Sequence, residues 1–176
     1  MEKQLDIVIV GGGLSGLALA AELAAPEFAA LSVLVLEKRP AYLRDRTWSY
    51  WAPTAGTQHR YSALERARWF QWAVSLDGRT CQHTSRQHTY ATLDADAFYT
   101  AAMQTIAQAA HVQLQLGSGV ASIAAPSANQ CVTVTTEQGA TMQARWTFDA
   151  RPPQQVAQST LVQQFAGWEV HTEHDA

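Results

Sequence analysis

The chain has 176 residues, enough for one domain with a substantial core. Charged residues make up 15 % and hydrophobic ones 47 %, and a net charge of −3 with a pI of about 6.0 offers no basic patch to a nucleic acid. No run approaches the ~20 apolar residues of a membrane span or forms a signal-peptide pattern. Cys81 and Cys131 lack C-x-x-C spacing, which predicts reduced thiols rather than a disulfide or metal site.

The first element is a buried strand. Ile7–Val10 is uncharged and rich in β-branched residues, as a strand covered on both faces requires. It runs into Gly11–Gly12–Gly13–Leu14–Ser15–Gly16, in which Gly11, Gly13 and Gly16 satisfy G-x-G-x-x-G. The first glycine permits the tight turn, the second lets backbone approach a pyrophosphate, and the third allows helix and strand to pack closely. Leu17–Ala25 is a strong helix former closed by Pro26. A second apolar run, Leu31–Leu36, ends at Glu37, about the ~20-residue offset of the acid that holds a ribose hydroxyl. Glu37 would repel a 2′-phosphate, which favours a free ribose over NADP at this site. Lys38 and Arg39 either lie over the adenosine and its phosphates or form a solvated strand end.

Arg44–Trp51, with Trp48, Tyr50 and Trp51 beside arginines, reads either as the wall of a cofactor or substrate pocket or as a loop pinned to the core by its aromatics. From Trp69 the chain alternates, with Phe70, Trp72, Val74 and Leu76 on one side, which predicts a half-buried strand. Asp77–Gly78 is a type I′ hairpin signal, and the return strand is expected over about residues 80–85. Asp94 is an N-cap candidate for a helix from Ala95 to about Ala110, followed by a strand around Val112–Leu116. Strand-like pieces at Val120–Ile123, Cys131–Thr136 and Thr141–Phe148 predict a small meander covering the parallel sheet. Leu161–His171 reads as a strand with nothing after it to pair with. His171 and His174 have no third ligand in sequence, so a frayed tail is expected there and no metal site.

Three further segments carry a family likeness: Asp45–Arg46–Thr47–Trp48–Ser49–Tyr50–Trp51, Phe148–Asp149–Ala150–Arg151–Pro152–Pro153 and Gln164–Phe165–Ala166–Gly167–Trp168–Glu169–Val170. With the strand–glycine–helix start and the Gly117–Ser118–Gly119–Val120 loop, they give the chain the order of the glutathione-reductase-like FAD superfamily. Within it the chain resembles the bacterial lycopene β-cyclases of carotenoid biosynthesis. The resemblance implies an α/β fold: a Rossmann-like FAD/NAD(P)-binding domain with a parallel sheet, a β-meander and an inserted β-hairpin. It implies one such domain over 1–176, with segments 45–93 and 160–176 reaching into a partial substrate domain.

By the same resemblance, Gly11, Gly13, Leu14, Ser15 and Gly16 would hold the FAD pyrophosphate and Glu37 the adenosine ribose. Lys38, Arg46 and Asp149 would also line the FAD, and Val120 would touch the adenine through its backbone. Trp48, Trp51 and Trp168 would line the carotenoid end. The implied reaction closes the ends of lycopene into β-rings with no net redox change, on reduced FAD kept so by NADPH. The carotenoid substrate implies a cytoplasmic protein peripheral to the inner membrane. Segments that follow the GWE strand in the family, including that of its proposed catalytic acid, are not among these residues. The chain therefore reads as a truncated N-terminal half, with its C-terminal half a partner if the enzyme is split. No catalytic residue is assigned, and Glu169 is expected to face solvent. The competing expectations are another FAD/NAD(P)H oxidoreductase, a monooxygenase or dehydrogenase, and a non-catalytic FAD-binding fragment.

Overall fold

A computed structural model describes residues 4–43, 46–54, 61–126 and 131–152. β1 (Gln4–Val10) sends alternate side chains to opposite faces, as the two-residue period of a strand dictates. Ile7 and Ile9 enter one apolar cluster, Val8 and Val10 another. After the glycine turn, α1 (Leu14–Leu23) buries Leu17, Ala20 and Leu23. Pro26, which cannot continue a helix, opens a short 3₁₀ turn before β2 (Val33–Leu36). β2 lies parallel to β1, with Ile7 opposite Val33 and Val10 opposite Leu36.

The chain then leaves this sheet through β3 (Thr47–Pro53), β4 (Glu65–Trp69), the hairpin of β5 (Gln71–Leu76) and β6 (Arg79–Thr84), and β7 (His88–Asp94). It returns through α2 (Ala95–Ala107) and β8 (Val112–Gln115), and ends in β9 (Val120–Ala124), β10 (Val132–Thr136) and β11 (Thr141–Asp149). The main sheet runs β8-β2-β1-β11-β10-β9, parallel from β8 to β11 and antiparallel beyond. Phe98, Tyr99, Ala102 and Ile106 of α2 join Leu17 and Ala20 of α1 over one face. The expected meander is present, but as an extension of the parallel sheet: β11 docks edge to edge on β1, and β10 and β9 continue outward.

The second sheet, β3-β7-β4, is antiparallel. One of its three strands, β3, falls where the sequence suggested a loop, because the aromatics of 47–53 belong to a regular strand. Trp48, Tyr50 and Ala52 turn inward, and Trp51 turns outward. The β5–β6 hairpin forms as the Asp77–Gly78 signal predicts, with φ of 50° at Asp77 and 75° at Gly78. Its strand is not half-buried, however: Val74 and Leu76 are 64 % and 72 % exposed. The expectation failed because alternation reveals that a strand has an apolar side but not that anything covers it.

Candidate dinucleotide-binding cleft

A cleft of about 920 Å³ opens at the carboxyl ends of β1, β2 and β11. This is the point where strand order reverses, with β2 on one side of β1 and β11 on the other, and it is where open α/β sheets bind ligands. Its floor is the glycine turn. Gly11 has φ of +97° and donates its N–H to the Leu36 carbonyl at 2.8 Å, tying the turn to the neighbouring strand. A Cβ on Gly16 would collide with the Gly11 carbonyl, so this glycine serves helix–turn packing. A Cβ on Gly13 would meet nothing within 4 Å. Gly13 is also the N-cap of α1, with no side-chain capping bond and no acid in the first turn, so the helix start faces the open cleft.

Gly12, between them, is clamped from both sides. Its N–H donates to Glu37 Oε2 at 2.7 Å. Its carbonyl accepts from the Tyr42 hydroxyl at 2.9 Å and from Arg39 Nη2 at 3.2 Å. Arg39 also reaches Glu37 Oε1 through Nε at 3.0 Å and the Tyr99 hydroxyl through Nη1 at 2.9 Å. Its guanidinium lies 4.8 Å from the centroid of the Tyr42 ring, which stacks on Tyr99 with centroids 4.3 Å apart. Glu37 is only 6 % exposed. Burial alone would push its carboxyl up, but the hydrogen bonds from Arg39 and Gly12 outweigh this and hold it below the ordinary carboxylate value. Burial likewise opposes the charge of Arg39, and its bonds to Glu37 and Tyr99 keep it firmly protonated. Burial pushes the Tyr42 phenol up, so it remains a donor to Gly12.

Lys38 crosses the mouth of the cleft to Glu137 at 2.8 Å. The far wall is Ser118–Ala121, and the Val120 carbonyl accepts from Arg151 Nη1 at 2.8 Å. Asp149 does not line the cleft; it holds Arg151, with Oδ1 on Nε at 2.8 Å and Oδ2 on Nη2 at 2.7 Å. Hydrogen bonding from Arg151 keeps the Asp149 carboxyl below its ordinary value.

Of the residues expected at the cofactor, Gly11, Gly13, Leu14, Ser15, Glu37, Lys38, Arg46 and Val120 all line this cleft, with Gly16 and Asp149 behind it. Trp48 lines it too, at 5.4 Å from both Phe98 and Tyr99 of α2 by ring centroid, whereas Trp51 points to the opposite side of β3. The structure therefore does not bring these two tryptophans together. Trp168, Glu169, His171 and His174 lie outside the described residues. Glu137 was not singled out in the sequence and Arg151 was noted only within the Phe148–Pro153 segment, and their folded positions place both in the cleft. Among the described residues no group of His, Cys, Asp or Glu is placed to hold a metal ion. No helix among them is long and apolar enough to cross a membrane.

The residues present fit a dinucleotide diphosphate: open space in front of a side-chain-free helix start, with Lys38, Arg39, Arg46 and Arg151 around it. The fold has many solved relatives. It is similar to p-nitrophenol 4-monooxygenase PnpA of Pseudomonas putida DLL-E4, with a TM-score of 0.60 and 20 % identity over 91 % of this chain and 43 % of that one. It is similar to PqsL of Pseudomonas aeruginosa, described as a probable FAD-dependent monooxygenase, with a TM-score of 0.57 and 14 % identity over 82 % of this chain and 42 % of that one. NikD, an amino acid oxidase, matches with a TM-score of 0.54 and 20 % identity over 84 % of this chain and 51 % of that one. The chain thus spans about half the length of these proteins or less, and at such identities the likeness is one of fold. No curated protein matches the sequence. The profile of the lycopene cyclase protein family matches residues 6–176, nearly the whole chain, and the chain belongs to that family.

Proposed function

We propose that this cleft binds FAD and that the chain supplies the dinucleotide-binding part of a lycopene β-cyclase. The observation that carries the reading is the unequal space around the three motif glycines: closed at Gly16, held at a positive φ at Gly11 and open at Gly13, within a cleft lined by Lys38, Arg39, Arg46 and Arg151 together with the acids Glu37 and Glu137. In this reading the start of α1 and the Gly13 backbone hold the diphosphate, and Glu37 faces the adenosine ribose. The residues of Val120 and Ala121 form the adenine wall. When bound and reduced, with NADPH as electron source, the flavin would supply negative charge that stabilises cationic character developing on the polyene, without net electron transfer. The acid that starts ring closure is assigned to no residue of this chain. The second sheet, with the aromatics of β3, would begin the carotenoid side of the protein, and a membrane-dissolved substrate calls for peripheral contact with a bilayer.

The test is an absorbance spectrum of the purified chain after FAD is added and the free cofactor is removed by gel filtration. Retained flavin bands in the near ultraviolet and blue are expected. A colourless protein that is folded by circular dichroism would overturn the reading.

A further inference from the structure

The wall of the cleft around Val120 is laced together by backbone from three places in the chain. Gly117 donates its N–H to the Arg39 carbonyl at 3.0 Å, and Ser118 its N–H to the Glu37 carbonyl at 2.8 Å, which ties the 117–120 loop to the end of β2. On its other side the loop meets the turn between β10 and β11. The Glu137 N–H donates to the Gly119 carbonyl at 2.8 Å, and Gln138 Nε2 to the Gly117 carbonyl at 3.1 Å. The turn itself is set by Gly139, at φ of +83°, and by the buried Thr136, whose Oγ1 accepts from the Ala140 N–H at 3.1 Å. Glu137 is thus carried on a fixed stretch of backbone, and its side chain lines the cleft.

A Cβ on Gly119 would fall on the Glu137 carboxylate, so the loop lacks a side chain at the point where this acid lies against it. Lys38 Nζ engages Glu137 Oε1, and among the described residues Oε2 has no hydrogen-bond donor. The Val120 carbonyl, a backbone acceptor of the same wall, already receives Arg151 Nη1 at 2.8 Å. We propose that Glu137 is a specificity residue of the adenosine end: its Oε2 accepts a hydrogen bond from the exocyclic amine of the base. The cleft then takes 6-aminopurine nucleotides in preference to 6-oxopurine ones. The proposal rests on the FAD reading above and names the group that reads the base. A carboxylate can only accept, so it suits the 6-amino donor of adenine and repels the 6-oxo acceptor that hypoxanthine carries in the same place. Lys38 offsets the charge that the acid would otherwise present to an anionic ligand, which leaves the discrimination local to the base.

The experiment is calorimetric titration of the purified chain, and of its Glu137→Gln and Lys38→Gln variants, with ADP and with IDP, which differ only in the base. Wild type should bind ADP about ten-fold more tightly than IDP, the scale of one hydrogen bond to a charged group. In the Glu137→Gln variant the amide can accept from one base and donate to the other, so the ratio of affinities should fall to about one. Lys38→Gln should weaken both nucleotides together and keep the ratio, because the backbone of Glu137 stays tied to Gly119. A general change in charge or stability moves both affinities alike, so the ratio reports on the base alone. Equal affinities in wild type, a preference untouched by Glu137→Gln, or a preference lost in Lys38→Gln would each overturn the proposal, as would failure to bind either nucleotide. Flavin retention measured on the same preparations separates the two readings. Flavin held without a base preference sinks only the role of Glu137, whereas ADP preferred over IDP without flavin retention sinks only the FAD assignment.

Discussion

Two glycines of one motif call for different mutational outcomes. At Gly13 the space is open and the backbone, with φ of −76°, suits any residue, so Gly13→Val should leave the thermal midpoint nearly unchanged and abolish flavin retention. At Gly16 a side chain would run into the Gly11 carbonyl, so Gly16→Val should destabilise the fold itself, seen as loss of soluble protein or a much lower midpoint. Equal behaviour of the two variants would count against the assignment. Arg39 offers a second contrast. It donates to Glu37, Tyr99 and the Gly12 carbonyl together, so Arg39→Met should cost about 1–3 kcal/mol by urea unfolding, because a buried carboxylate loses its partner. The pH dependence follows from the same pair. The Glu37 carboxyl sits below its ordinary value in the folded chain, so its contribution is complete above that ordinary value of 4.5 and is lost as pH falls through the lower folded value. Arg39→Met should therefore flatten the acid limb of the stability curve below about pH 4.5.

At the scale of elements, some strands announce themselves and others do not. β1, α1 and β2 were legible because composition, period and glycine chemistry agree there. β7 was not. Its buried side chains are Thr89, Ala91 and Leu93, and two of these are small or polar enough to hide the alternation. β3 hid for the opposite reason, since its tryptophans suggest a special loop before they suggest a strand. The hairpin turn was readable because few residues tolerate a positive φ twice in succession, yet the exposure of its apolar face was not. Gly78, at φ of +75°, makes a direct test: Gly78→Val should loosen only the β5–β6 unit. The expected sign is faster proteolytic nicking between residues 71 and 84, with no change in the main thermal transition, since two exposed strands contribute little to either apolar cluster.

For the molecule as a whole, the sequence disclosed the parts of the cleft better than their arrangement. Eight of the expected cofactor residues do meet at one opening, because the motif, the strand-end acid and the loop before β9 are each local signals. The placement of β11 against β1 is a long-range event that no local pattern encodes. It determines that Arg151 reaches the Val120 carbonyl and that Ala150 closes behind the glycine turn.

That neighbouring of β1 and β11 has a consequence in time. Gln4 pairs with Gln143, and Val10 with Asp149, so the two walls of the cleft come from opposite ends of the described chain. Closing a loop of that length costs entropy before any contact repays it, and folds dominated by such pairings form slowly. During synthesis the glycine turn emerges first and then waits, because the opening it will floor does not exist until residues 141–152 have left the ribosome. In the proposed reading, a flavin therefore has no complete site on the emerging chain until residues 141–152 have joined the glycine turn.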